Sequence, residues 1–424
     1  PEWWTLLQHA IKEADRLGLS FSMQNCLGYS TSGGPWITAE NSMQKLVWTE
    51  KTVTGGQEVN TELEKPSVDP KWNYYKDIAV IAVKQNPDNI TAAADVINIS
   101  DKMQSNGNLL WDAPDGTWKI VRYGHTTTGK TTHPTDSNVA GLECDKLNRD
   151  AMRIHYDNYI GRILKEADYL AGKSFDRVLI DSFEAGEQNW TPKFREEFMA
   201  RRGYDPLVWL PVISGSTIES QEIGERFKFD MEQTIAELCI EESYMALTEY
   251  VHEHPNVKLE YQPYHAPYNL VAGGVKADIV SGEFWHNNMD YGWWTLGLAA
   301  SSAHISGKSI VASEAFTSSP EDANWSVTPA DLKAEGDLAF SMGANAFEFH
   351  TGAHQPWDSK YKPGMIPAAY GLQMNRNNTW WEQGVGWTSY LTRSQYMLRQ
   401  GSFVGDLCFL YPKGQRGFTP PAGY

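Results

Sequence analysis

The sequence predicts an α/β fold, a (β/α)8 TIM-type barrel carrying a β-rich insertion, with the first barrel strand upstream of Pro1. Three observations predict it. Short apolar runs alternate with helical periodicity over about 300 residues, the rhythm of a parallel sheet. Polar residues follow each run where the chain would leave the sheet, as on the reactive face of a closed barrel. A polar stretch at 47–117, rich in Thr, Asn, Lys and Val, interrupts that rhythm.

Residues 3–17 space Leu7, Ile11 and Ala14 along one helix face, with Gly18 as the stop. A strand at Leu19–Cys26 runs into Leu27-Gly28-Tyr29-Ser30-Thr31-Ser32-Gly33-Gly34-Pro35-Trp36. That loop lacks GxxxxGK spacing and is no phosphate loop; its glycines let the backbone approach a ligand beside Trp36, or make an ordinary long turn. Within 47–117, Ile78–Val83 and Leu109–Trp111 are strand-like, and Pro114-Asp115-Gly116 is a turn into a strand at Trp118–Tyr123. A helix follows at 147–170, with Met152, Tyr156, Tyr159, Ile163 and Ala167 at helical spacing.

The centre of the chain is Phe175–Gly186, where Val178-Leu179-Ile180 form a buried strand that ends in Asp181 and Glu184. Glu184 stands free for chemistry if Thr191-Pro192 caps the helix at 192–202; otherwise Glu184 is itself the cap. A long helix spans 227–254. Four strand-plus-polar-tip units complete the pattern: Val257–Pro263 with Tyr264-His265, Asp278–Gly282 with Glu283-Phe284-Trp285-His286, Ser309–Ser313 with Glu314, and Ala344–Phe349 with His350. Thr328-Pro329 opens a helix to Met342. The strands number seven, at 19, 118, 177, 257, 278, 309 and 345; an upstream strand closes the barrel, or else Asp406–Tyr411 does. The expected division is barrel at 1–46, insertion at 47–117, barrel at 118–405, and the start of a following domain at 406–424.

Composition excludes several classes. A net charge of -17 and no basic stripe exclude nucleic acid and anionic membrane surfaces as partners. No apolar run approaches the ~20 residues of a membrane helix. The chain opens on Pro1, which leaves room for a removed leader. Cys26, Cys144, Cys239 and Cys408 are too scattered for a disulfide framework or zinc site. The 17 Trp and 20 Tyr cluster beside Gly, Pro and carboxylates, as in carbohydrate sites where rings stack on sugar faces, although part of them serve as core.

Glu184, Glu283 and Glu314 all sit at strand ends. Glycosidic cleavage wants one carboxylic acid for the leaving oxygen and one carboxylate for water or carbon; three buried ion-paired glutamates are the bland alternative. The acid should occupy apolar surroundings, for which Phe183 and Trp190 are candidates. Asp181, His125, His265, His286 and His350 are candidates for sugar hydroxyls, each histidine being equally able to serve structure. Trp36, Trp285 and Trp357 are stacking candidates. Asp145 and Lys146 suit helix capping, and His252-x-His254 reads as a solvated helix end because side chains at i, i+2 diverge.

Glu2-Trp3-Trp4 with its helix, Ser32-Gly33-Gly34-Pro35-Trp36, Gly124-His125-Thr126-Thr127-Thr128-Gly129-Lys130, Gly141-Leu142-Glu143-Cys144-Asp145-Lys146-Leu147 and Asp181-Ser182-Phe183-Glu184 together resemble glycoside hydrolase family 106, the α-L-rhamnosidases. The resemblance extends from the first residues to about 412. It implies a (β/α)8 barrel with extra β domains and cleavage of α-L-rhamnosides with inversion. It also implies a bound Ca2+ near the sugar, rhamnose-containing pectic or other plant glycans as substrates, and a bacterial periplasmic or extracellular setting. Residue by residue, it implies Glu184 as general acid, Glu314 as general base, and Glu283 as a holder of calcium or sugar hydroxyls. Two rivals stand beside it. One is a retaining β-galactosidase-like barrel, against which Phe183 stands where Asn is usual. The other is an inactive glycan-binding barrel.

Overall fold

The computed structural model describes residues 2–323, 325–366, 370–411 and 418. The chain forms two compact units, one of Pro1–Asn25, Leu164–Glu184 and Val251–Tyr424, the other of Cys26–Ile163 and Ala185–Tyr250.

The first unit is built on a six-stranded sheet. In chain order its strands are β1 (Phe21–Gln24), β2 (Phe175–Ile180), β3 (Lys258–Tyr261), β4 (Ile279–Trp285), β5 (Val311–Thr317) and β6 (Ala346–Phe349), each parallel to the next. β1 and β6 are its edges among the described residues. The sheet nevertheless curls strongly. Arg177 on β2 donates to Glu348 on β6 at 2.7 Å, although four inter-strand steps of a flat sheet would separate them by ~19 Å. Arg177 donates to Glu260 on β3 at the same distance, 2.7 Å. The inward face of the curled sheet therefore carries a polar layer, beside a small apolar cluster of Ile279, Ala312 and Ala346 on the same side.

Helices 289–305, 329–341 and 385–398 cover the outer face, where Phe284, Phe316, Leu296, Leu332, Trp387 and Leu391 share one buried cluster. The helix at 2–17 buries Leu7, Ile11 and Ala14, as its periodicity requires, and Gly18 ends it at φ 69°. Thr328 and Asp331 close a reciprocal capping box around Pro329. Gly282 and Gly292 hold β4 against helix 289–305: a Cβ on Gly282 would lie 2.8 Å from the Thr295 carbonyl, and one on Gly292 2.7 Å from Phe284 Cβ. That approach brings the Thr295 hydroxyl to the Glu283 carbonyl at 2.5 Å.

The second unit holds a four-stranded antiparallel sheet. Its strands 44–54, 117–127 and 76–85 lie side by side, and 96–98 forms the far edge. Here the structure corrects the sequence reading: the run at Trp118–Tyr123, expected as a barrel strand, pairs antiparallel with 44–54 and 76–85. Its inward apolar residues face Val80, Ala82 and Trp111 in a β core, so an apolar run with a polar end did not by itself signify a parallel strand. The turn at Pro114-Asp115-Gly116 joins strands of two different sheets, since 108–113 pairs with 57–62. Thr191 does not cap the following helix; that helix runs Phe194–Arg202 from Lys193 and ends on Gly203 at φ 82°. The 406–411 segment has no strand among the described residues. No helix there is long and apolar enough to cross a membrane.

Candidate active site

The carboxyls of the first unit gather where β2 to β6 present their later residues. Asp181 and Glu184 lie beyond their strand, which ends at Ile180. Glu283 and Glu314 sit within β4 and β5, because both strands run on to Trp285 and Thr317 rather than stopping before the glutamates. In parallel register Glu283 faces Glu314, and Glu314 faces Glu348, so all three side chains leave on the same side of the sheet.

Glu314 accepts from the Thr317 hydroxyl at 2.5 Å and from Gln262 Nε2 at 3.3 Å, with His350 Nδ1 3.8 Å away. Glu283 is 8% exposed and accepts from Tyr264 O–H at 2.6 Å and Trp285 Nε1–H at 2.8 Å. Burial first, then the neighbouring Glu314, raise its pKa to about 8, against the pull of those two donors. Asp181 accepts from Gln24 Nε2 and from the Ser182 backbone N–H, each at 2.8 Å. Its pKa rises to about 7, chiefly through burial and then through Glu314 and Glu184. One level below, burial and Glu348 raise Glu260 to about 8 despite its ion pair with Arg177.

Glu184 differs. It is exposed, and its partner is the Ser182 hydroxyl at 2.9 Å. Of the two apolar residues expected around it, Phe183 is itself buried, and Trp190 packs on Phe194 at 4.9 Å.

Aromatic groups edge the carboxyls. Tyr264 meets Tyr291 and Trp294 edge-on at 6.3 and 5.8 Å, and Trp285 meets Tyr291 and Tyr370 at 6.4 and 5.6 Å. Exposed His265 pairs its Nε2 with the Tyr291 hydroxyl at 3.1 Å; burial of its ring lowers its pKa. His265, Asn287 and Phe316 hold φ of 65°, 60° and 61°, left-handed backbone that only a well-determined surrounding retains.

Other predicted residues lie elsewhere. His286 is buried, with Nδ1 2.9 Å from Glu335. Trp357 is exposed on a loop, where its carbonyl accepts from Arg376. Trp36 and His125 belong to the second unit. Trp36 stacks on Tyr159 and donates to His155, and His125, lowered to about 4 mainly by burial, faces Gln44. Lys146 caps no helix: it forms a fully buried pair with Glu143 at 2.6 Å, and Asn148 caps the helix at 149–158. Asp145 takes the Leu147 N–H, the Gln188 side chain and the Thr191 hydroxyl.

Sequence reasoning missed Gln24, Gln262, Tyr291 and Thr317. A glutamine within an apolar strand and the i, i+3 aromatics Tyr291 and Trp294 were the available signals. The calcium expectation names Glu283 as a ligand. Both Glu283 oxygens already accept hydrogen bonds, and no group of three or more His, Cys, Asp or Glu among the described residues is placed to hold a metal, whereas calcium takes about six to eight oxygens.

Several carboxyls with split environments, edged by aromatic rings on a curled parallel sheet, are the constellation of a glycoside hydrolase. The chain belongs to glycoside hydrolase family 106: the alpha-L-rhamnosidase family model matches residues 1–86 and 69–419. It is similar to a rhamnosidase structure from Novosphingobium sp. PP1Y, with a TM-score of 0.85 and 25% identity over 95% of this chain and 54% of that one. It is also 36% identical to a protein of Formosa agariphila named "Putative beta-glucuronidase", over 96% of this chain and 37% of that protein. The chain thus spans about a third to a half of the length of these relatives.

Proposed function

We propose that the chain carries the catalytic module of an enzyme that releases terminal α-L-rhamnosyl residues from plant-type pectic glycans with inversion. Glu184 is the general acid and Glu314 the general base. The observation that carries the reading is the contrast between them. Glu314 lies among three other carboxyls, and two donors, the Thr317 hydroxyl and the Gln262 amide, fix one oxygen each of its carboxyl. Glu184 stands exposed at the exit of β2, where a leaving oxygen can reach it. A water bound by Glu314 attacks the anomeric carbon as Glu184 protonates the leaving oxygen, and both oxocarbenium charge and departing alkoxide are met without a covalent intermediate. Glu283, with its pKa raised to about 8, and Asp181, raised to about 7, suit donation to sugar hydroxyls.

The relative's name supports a second reading, release of a β-glucuronic acid. A uronate brings its own carboxylate, however, and the partners of Asp181, Glu184, Glu283 and Glu314 are hydroxyls, amides and an indole. Arg177 is already engaged by Glu260 and Glu348. A neutral deoxysugar fits these groups better.

Proton NMR of the anomer released from an aryl α-L-rhamnoside, beside an aryl β-D-glucuronide, tests both. The inverted β-anomer of rhamnose is expected. The α-anomer would indicate retention, glucuronide turnover alone would move the substrate class, and rhamnoside binding without turnover would indicate a glycan-binding barrel. Chelator addition in the same assay tests calcium, since turnover lost and then restored by added calcium places an ion at the sugar.

A further inference from the structure

We propose that Ser182 and Gln262 form a spacer that sets the separation and orientation of Glu184 and Glu314. The inference rests on the assignment of those two glutamates as the reacting pair. Both spacer residues are buried, at 3% and 2% exposure. The chain of contacts has three links. The Ser182 hydroxyl donates to Glu184 Oε1 at 2.9 Å, the Ser182 backbone N–H donates to Gln262 Oε1 at 3.1 Å, and Gln262 Nε2 donates to Glu314 Oε2 at 3.3 Å.

The polarity of this chain is fixed by chemistry. A backbone N–H only donates, so the Gln262 carbonyl oxygen must face Ser182. The amide nitrogen then has to face Glu314, and it too only donates. Gln262 is itself anchored, because its own N–H donates to the Ile180 carbonyl at 3.0 Å and extends the β2–β3 ladder past Tyr261. Thr317 holds the second oxygen of Glu314 from β5. The carboxylate therefore cannot rotate without breaking one of two contacts. Glu184 lies on an exposed loop and is held by the Ser182 hydroxyl. Inverting hydrolysis needs ~6.5–9.5 Å between its two carboxyls, and a rigid amide between a loop glutamate and a strand glutamate is a means of keeping that gap. Gln262 touches neither water nor sugar in this scheme; it is a positioning residue.

Gln262→Met keeps the length of the side chain and removes both polar ends. Its kcat is expected to fall ~10- to 100-fold, the loss that a displacement of about 1 Å brings, with KM nearly unchanged. Gln262→Glu supplies an acceptor facing Glu314 at neutral pH and a donor only when protonated. Its activity is therefore expected to return towards wild type as the pH falls, a shift of the profile that a purely structural residue would not give. Crystal structures of wild type and Gln262→Met should differ in the Glu184–Glu314 separation. Ser182→Ala, which retains the backbone N–H, serves if Gln262→Met does not fold; loss of order at Glu184 alone is expected. An unchanged separation, or wild-type kcat and pH profile in the Gln262 variants, would overturn the spacer. The crystallographic comparison does not depend on turnover, so a wild-type chain inactive on rhamnosides would sink the assigned function and leave the spacer to be judged by the separation.

Discussion

Glu283 and Glu314 are in-register partners across the β4–β5 ladder, and their carboxyls leave the sheet on one face. Two like charges so placed cannot both ionise cheaply, and the more buried Glu283 retains its proton to about 8.

That pairing gives the first prediction. A folded pKa of about 8 against an unfolded value of ~4.3 means the folded state holds the extra proton. The stabilisation is fully present below the unfolded pKa and is lost as pH rises towards 8. Glu283→Gln mimics the protonated form: its carbonyl can accept from Trp285 and its amide can donate to Tyr264. The difference in Tm between Glu283→Gln and wild type should therefore grow in the variant's favour from pH 5 to pH 9. A constant difference across that range would show that Glu283 is ionised throughout.

Arg177 is the counterpart below this layer. It is bound at 2.7 Å to Glu260, whose side chain is wholly buried, and to Glu348 across the curled sheet. Arg177→Met leaves Glu260 buried without its donor, which should cost about 2 kcal/mol in urea unfolding. Adding Glu260→Gln should recover a substantial part. Equal losses in single and double variants would show that Arg177 acts by packing its stem, not by charge.

How much of this was legible in the sequence follows from which forces act locally. The six parallel strands showed as apolar runs because strands covered by helices must be apolar outward, and helix 2–17 showed through Leu7, Ile11 and Ala14. Glu283 and Glu314 stood out because acids among strand residues are costly without purpose, and the ladder sets them side by side. The run at 118–123 misled, since burial on a β core writes the same letters as burial under a helix. The partner of His286 could not be read from the sequence: Glu335 lies 49 residues away, and only folding brings them together. Gln262 offered only a weak signal, a neutral amide in a strand segment, because its contacts with Ser182 and Glu314 exist only in the fold.

In the second unit, Asp145 joins three segments. It accepts from Leu147 N–H at 2.9 Å and Thr191 O–H at 2.7 Å, and from the Gln188 side chain, while its own N–H donates to the Asn41 carbonyl. Asp145→Ala orphans buried donors at 188 and 191, with an expected cost of about 3 kcal/mol. Faster amide hydrogen exchange should appear first at 188–191 and 41–43. Protection equal to wild type there would mean that those loops are held by other contacts.

The assigned roles of Glu184 and Glu314 separate by leaving group. A general acid matters most when the departing oxygen is a poor leaving group, and little when it departs readily as a nitrophenolate. Glu184→Gln should therefore lose ~10²- to 10⁴-fold on an alkyl or sugar rhamnoside and far less on a nitrophenyl one. Glu314→Gln removes the group that activates water, a step whose demand does not depend on the aglycone, so its loss should be of similar size on both substrates. The exposure of Glu184 and the two donors on Glu314 lead to the same ordering. Measured kcat/KM ratios for the two substrates decide it: a ratio that changes in Glu314→Gln and holds in Glu184→Gln would exchange the two roles, and equal ratios in both variants would remove Glu184 from proton transfer altogether.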